Sequence, residues 1–203
     1  MSIFILEKNP LFVKIITEIV IDQACVFLVM EQDRLKIVVF GAFGAGKTTL
    51  IKTLDPASRH IEAPCTGGST TIALDFGRVD FGDRKVYLYG TPGQERFEFA
   101  REIIGRGMDG AILLIDATSP FDEFIAHLRD SLSESGIPFI AVLNKCEDVG
   151  AQPDALKPGI RAARIVKASA KVEPECRAML GDFIATLPAG RHIQKDIPHP
   201  AHE

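Results

Sequence analysis

The chain has 203 residues, 46% hydrophobic and 25% charged, with a formal net charge of -4; that is enough to bury one substantial core and, on length, points to one domain. A mildly acidic chain without a basic footprint excludes nucleic acid as the default partner. The four cysteines, Cys25, Cys65, Cys146 and Cys176, are scattered without a C-x-x-C pair or a recognisable signal peptide, a pattern of free thiols in a reducing, cytoplasmic compartment.

Residues 1–33 read as an extension. Within it, "LFVKIITEIVIDQACVFLVM" (11–30) is apolar, but Lys14, Glu18 and Asp22 interrupt it every fourth residue and would share one helical face. This favours an amphipathic segment making peripheral contact with the domain, a partner or a membrane surface over a membrane span, although its β-branched content leaves a strand open. Because "MEQDRLKIVVFG" is itself a natural domain opening, residues 1–29 read equally as an over-extended start.

From Leu35 the chain alternates strand and helix signals. "LKIVVFG" is a buried apolar run followed by a helix over Lys47–Leu54, and residues 55–69 are rich in turn formers. "TIALDFGRVDF" and "RKVYLYG" form a hairpin across Gly82-Asp83, helical patterns cover 96–105, 121–133 and 173–187, and "GAILLIDA" and "IPFIAVLN" are further buried runs. A sixth strand precedes "KASAK". Apolar strands joined by helical crossovers predict an α/β domain over 34–188, with a mainly parallel six-stranded sheet covered on both faces and one antiparallel edge strand. Residues 189–203 have little to bury and read as a flexible tail.

"GAFGAGKTT" (41–49) fits G-x-x-x-x-G-K-[ST] between a strand and a helix. In that context Gly41, Phe43, Gly44, Ala45 and Gly46 supply backbone N–H groups that close around phosphates at a helix N-terminus, with Thr49 following. Lys47 brings a cation to the β and γ oxygens, and Thr48 offers a hydroxyl to Mg²⁺.

"LNKCED" and "KASAK" follow the fifth and sixth strands, and with the phosphate loop they make the chain similar to the Ras-like small GTPases. The resemblance implies the three-layer P-loop NTPase fold and binding of GTP or GDP with Mg²⁺. It also implies that Asn144 supports loop and purine, Lys145 packs over the base, and Glu147 accepts the guanine N1–H and 2-amino group, with Ser169, Ala170 and Lys171 completing the pocket. Glu147 stands where the family has aspartate, and Asp148 is an alternative acceptor. A carboxylate facing adenine would lack its donors, which disfavours ATP.

"STTIALDFG" (69–77) resembles the first switch of Rab-type GTPases. The match places the Mg²⁺ and γ-phosphate sensing threonine at Thr71, with Thr70 as the alternative, and gives Asp75 and Asp116 positions where family members carry structural acids. Arg59 lacks the spacing of a Gα-like arginine finger and reads as a solvated loop residue. "GTPGQERF" (90–97) resembles the second switch: Gly93 matches the γ-phosphate sensing glycine and Gln94 the glutamine that orients attacking water. Gly90, however, stands where the family's Mg²⁺-associated aspartate belongs. The expectation is a weaker hold on Mg²⁺, above all with GDP, and GDP release that is fast and little dependent on the metal.

Phe43 replaces a small glycine and would crowd the approach of an arginine finger. Phe43 and "GTPGQ" together resemble the conservon-type GTPases of bacteria and archaea and, more distantly, the polarity-control GTPases of gliding bacteria, a resemblance that implies roadblock-type regulatory or effector partners. Two function classes follow: a slow GTP-hydrolysing switch acting through residues 55–71 and 91–107, with Gln94, Lys47 and Thr71 as catalytic residues, or a GTP-binding scaffold with little hydrolysis. With no prenylation box and no myristoylation glycine, stable lipid anchoring is not expected.

Overall fold

The computed structural model describes residues 33–64, 71–162 and 164–189. The chain divides into two units, and the one running Arg34–Arg191 carries the sheet and its helices. Residues 1–32, which hold the amphipathic segment, and the tail from 190 onward lie outside the described residues.

In chain order the elements are β1 (Asp33–Phe40), α1 (Lys47–Leu54), β2 (Arg59–Pro64), β3 (Thr71–Phe81), β4 (Arg84–Gly90) and a 3-10 turn (Glu95–Phe97) that runs into α2 (Glu98–Gly105). Then come β5 (Gly110–Asp116), α3 (Glu123–Glu134), β6 (Phe139–Asn144), α4 (Pro153–Ile160), β7 (Ile165–Lys167) and α5 (Glu173–Ile184). The strand order is β2-β3-β4-β1-β5-β6-β7. β1, β5, β6 and β7 are parallel, while β2–β3 and β3–β4 are antiparallel.

The central strands read as unbroken apolar runs because alternate side chains enter different cores. Leu35, Ile37 and Val39 of β1 pack with α1 and α5 on one face; Val38 and Phe40 pack with α3 and α4 on the other. A strand buried on both faces has no polar face to alternate with.

Two features correct the sequence expectation. The sheet has seven strands rather than six, because Arg59–Pro64 pairs antiparallel along β3 from Arg59↔Phe76 to Pro64↔Thr71 and adds one strand to the antiparallel edge. "RHIEAP" lacks a strand pattern and takes its extended form from the β3 template, with Pro64 at the strand's end on the sheet edge, where it is tolerated. The second feature is α4, hidden in "PDALKPGI" by Pro158 and Gly159. Pro153 in its first turn and the buried Leu156 and Ile160 four residues apart mark it in retrospect.

Candidate nucleotide site

β1, β6 and β7 run the same way, so the loops leaving their C-terminal ends converge, the usual place for a ligand on a parallel sheet. The phosphate loop leaves β1, Asn144 and Lys145 leave β6, and Ser169 to Lys171 leave β7.

Gly46 caps α1 in the left-handed region at φ 101°, with no side chain capping the helix and no acid in its first turn. The start of α1 thus offers N–H groups and a positive dipole end to an anion. Only glycine fits there: a Cβ at Gly46 would collide with Asn144 Nδ2. Lys47 is buried, and its Nζ donates to the carbonyls of Gly41 (2.9 Å) and Ala42 (2.7 Å). Burial pushes the ammonium down to about 8, against the favourable charge of Asp75 and with the adverse one of Arg101. Phe43 stands 80% exposed at the lip of the loop, and Thr49 is also exposed.

A carboxylate stands beside position 90 on the neighbouring strand. Asp75 pairs directly with Gly90 across β3 and β4. Its Oδ2 accepts the Thr48 hydroxyl at 2.5 Å and its Oδ1 lies 2.7 Å from His60 Nδ1. A Cβ at Gly90 would sit 3.2 Å from Asp75 Cβ and 3.3 Å from its Oδ2, so the two positions address one place. The signal was in the sequence: counting back from the Gly82-Asp83 turn pairs 81 with 84 and hence 75 with 90.

The segment after β4 is fixed by residues that motif reading passed over. Thr91 is buried, and both its N–H and its hydroxyl donate to Val39 O at 3.0 Å. Arg101 of α2 is 5% exposed, stacks over Phe124, and donates to the carbonyls of Pro92, Gln94 and Glu95 at 3.4, 2.6 and 3.0 Å. Gly93 lies against the phosphate loop so closely that a Cβ would come within 2.5 Å of Phe43 N and 2.7 Å of Lys47 Nζ. The Gln94 side chain is exposed, and its Oε1 accepts from Arg96 Nε at 2.9 Å. Thr71 opens β3; Thr70 lies outside the described residues.

The opposite side of the site is tied to the phosphate loop. Asn144, 3% exposed, donates to Ala45 O at 2.8 Å and accepts from Ala170 N at 2.8 Å. Lys145, held at φ 61°, donates to Gly44 O at 2.9 Å and pairs with Asp116 Oδ2 at 2.5 Å. Burial raises the Asp116 carboxyl, but hydrogen bonds from Lys145 and Thr118 more than reverse that. Glu147 Oε1 accepts the Ser169 hydroxyl at 2.6 Å, the main cause holding its carboxyl below the usual range. Asp148 and Lys171 are exposed. Thr48 joins Asp75 on one side of the phosphate loop, and Asn144, Lys145 and Ala170 form a hydrogen-bonded cluster on the other, with Glu147 bonded to Ser169 beside it; Phe43, Thr49 and Lys171 are exposed.

Residues 36–145, more than half of the chain, match the family described as 50S ribosome-binding GTPase. The chain belongs to this GTPase family, within the Ras-like P-loop superfamily. An uncharacterized protein of Methanocaldococcus jannaschii is similar to this GTPase-family chain at 36% identity over 121 residues, 60% of the chain and 75% of that protein. The GTP-binding protein yptV5 of Volvox carteri is 30% identical over 57% of the chain and 60% of its own length. Ras-related protein Rab-44 of mouse is 28% identical over 76% of the chain, which spans only 16% of that protein. Among solved structures, the G domain of the T. maritima FeoB iron transporter superposes with a TM-score of 0.57 at 17% identity, covering 75% of this chain and 98% of its own. The Arl6 BBS3 small GTPase of Trypanosoma brucei gives 0.55 at 15%, covering 75% and 96%. At these identities the likeness is one of fold.

Proposed function

We propose that this GTPase-family chain is a GTP-hydrolysing switch with slow intrinsic turnover, and that Asp75 does the work of the aspartate absent at position 90. The carrying observation is the 2.5 Å bond from the Thr48 hydroxyl to an Asp75 carboxylate that shares its place with Gly90. Hard oxygens of this kind suit Mg²⁺, which keeps several waters and needs few protein ligands. Thr48 and Thr71 would hold the ion, and Asp75 would orient the Thr48 hydroxyl and accept from a coordinated water. The ion would neutralise charge on the phosphates.

On this reading Gly90 no longer implies metal-independent GDP release, since an acid already present on the next strand stands beside it. Lys47 supplies a cation to the phosphates, Gly93 its backbone N–H, and Gln94 orients the attacking water. Arg101 holds the carbonyl of Gln94 and its neighbours in place. Segments 55–71 and 91–107 would change with the γ-phosphate and select protein partners, roadblock-type regulators among them.

The test is a single assay of GTP and ATP, each with and without Mg²⁺, followed for affinity and phosphate release. GTP preference, metal dependence and slow release of one phosphate are the expected results; equal binding of ATP would overturn the nucleotide assignment. Gln94→Leu is expected to reduce single-turnover cleavage by at least about tenfold while leaving GTP affinity unchanged. A scaffold with little hydrolysis is the second reading, favoured by the engagement of Gln94 with Arg96; cleavage unaffected by Gln94→Leu would take the water-positioning role from Gln94.

Lys47 adds a pH dependence. Its amine, at about 8 here against 10.5 in an unfolded chain, loses its proton in the folded protein first. Through this group alone, fold stability therefore rises with pH between those values. Phosphate binding requires the charged form and restores the proton. Affinity for GTP is expected to fall by up to about tenfold per pH unit above 8, and calorimetry in buffers of different ionisation enthalpy should register proton uptake on binding.

A further inference from the structure

Ser169 is gripped from three directions. Its N–H donates to Glu175 Oε2 at 2.8 Å, its carbonyl accepts from Cys176 Sγ at 3.2 Å, and its hydroxyl donates to Glu147 Oε1 at 2.6 Å. The first two partners are adjacent residues in the first turn of α5, which begins at Glu173 with Val172 as its cap and has no side-chain cap of its own. Glu175 thus does not close its own helix at Val172. It reaches back past the cap to the loop that carries "SAK". Cys176 is fully buried and anchors the Ser169 carbonyl from below. With backbone N–H and C=O both engaged, the torsion about the Ser169 side chain is the main freedom left, and it is spent on Glu147.

Glu147 needs this support more than a shorter acid would. It lies in an exposed loop, and its extra methylene adds a rotatable bond, so its carboxylate samples more positions than an aspartate fixed by the same backbone. A hydrogen bond to a charged acceptor restrains it only if the donor is itself fixed. Beside it, Ala170 N is tied to Asn144 and, through Asn144, to Ala45 of the phosphate loop.

We infer that Glu175 is a positioning residue for base selection: it fixes Ser169 from α5, Ser169 fixes Glu147, and Glu147 thereby presents its carboxylate to the N1–H and 2-amino group of a guanine base. This rests on the reading of the chain as a GTP-binding protein, and it adds a residue outside the nucleotide-binding motifs to the specificity apparatus.

The test compares GDP with IDP, which lacks only the 2-amino group, in the full chain and in its Glu175→Ala and Glu175→Gln variants. In the unaltered chain GDP is expected to bind roughly tenfold or more tighter than IDP, the value of one hydrogen bond to a charged acceptor. Glu175→Ala should bring that ratio close to one. Glu175→Gln, whose amide oxygen still accepts the Ser169 N–H, should keep it. If Glu175→Ala weakens GDP and IDP equally and leaves the ratio intact, Glu175 is only a helix-end support and the inference fails. Should Glu175→Ala fold poorly, Ser169→Ala serves in its place: it removes the bond to Glu147 directly and must collapse the same ratio. A chain that shows no preference for GDP over ADP before any substitution would defeat the GTP-binding reading itself, whereas one that prefers GDP to ADP but not to IDP would defeat only this inference.

Discussion

Asp75→Asn should weaken Mg²⁺ binding in the nucleotide complex by roughly 10 to 100-fold, the usual effect of losing a partner that orients metal ligands, and should shift the Mg²⁺ response of GDP dissociation to correspondingly higher Mg²⁺. Asparagine keeps the size of the side chain and an oxygen able to accept the Thr48 hydroxyl, so the change is chiefly one of charge. Stopped-flow release of a fluorescent GDP analogue across a Mg²⁺ titration measures it. The register of the hairpin provides a sharper version. Gly90→Asp alone puts a second carboxylate beside Asp75 and a Cβ 3.0 Å from Ile51 Cδ1; the added negative charge attracts a cation, so metal binding should be no weaker than in the unaltered chain. The exchange of both, Asp75→Gly with Gly90→Asp, returns one carboxylate to the same place and should recover the Mg²⁺ response, with only the flexible end of Ile51 having to give way. A Mg²⁺ response untouched in Asp75→Asn would remove Asp75 from the metal site.

Asn144→Ala is the second large expected loss, roughly two orders of magnitude in nucleotide affinity. The Asn144 amide joins Ala45 O in the phosphate loop to Ala170 N in the loop after β7, and both ends of the bridge are buried. Truncation leaves a buried acceptor and a buried donor without a partner at about 1 to 3 kcal/mol each, and it frees the phosphate and base loops to drift apart. Asn144→Asp keeps the bond from Ala170 N but sets a carboxylate against the Ala45 carbonyl, so it should not rescue binding. Equilibrium titration with a fluorescent guanine nucleotide, run beside thermal unfolding, tests this. A variant that melts earlier yet binds as tightly would make the bridge structural only.

How much of this was legible depended on whether the chemistry is local in sequence. "GAFGAGKTT" could be read directly because a phosphate loop is one contiguous strand-turn-helix unit; α1 and the glycine conformation at Gly46 match it. The apolar runs gave β1, β5 and β6 because a strand buried on both faces has no other pattern to show. β2 escaped because its extended form comes from pairing with β3 rather than from its own residues. α4 escaped because Pro158 and Gly159 oppose helix formation locally and tertiary packing of Leu156 and Ile160 outweighs them.

The site shows the same division. The phosphate-loop pattern named Lys47 and Thr48, and the resemblance to Ras-like GTPases named Asn144, Lys145, Glu147 and Ser169, neither of them needing the fold. Motif reading did not bring Gly90 and Asp75 together, because a motif records which residue follows which along one strand and is silent about the strand beside it. Arg101, Thr91 and Glu175 act through backbone carbonyls and N–H groups, which leave no mark in a sequence of side chains. By itself the sequence determined that this protein has a phosphate loop, a guanine-type base loop and the double-sided sheet that carries them, since each is encoded in neighbouring residues. Only the tertiary structure decided that Asp75 stands beside Gly90 and that Glu175 and Asn144 hold the loop after β7, because those contacts join residues that meet through strand register and helix packing.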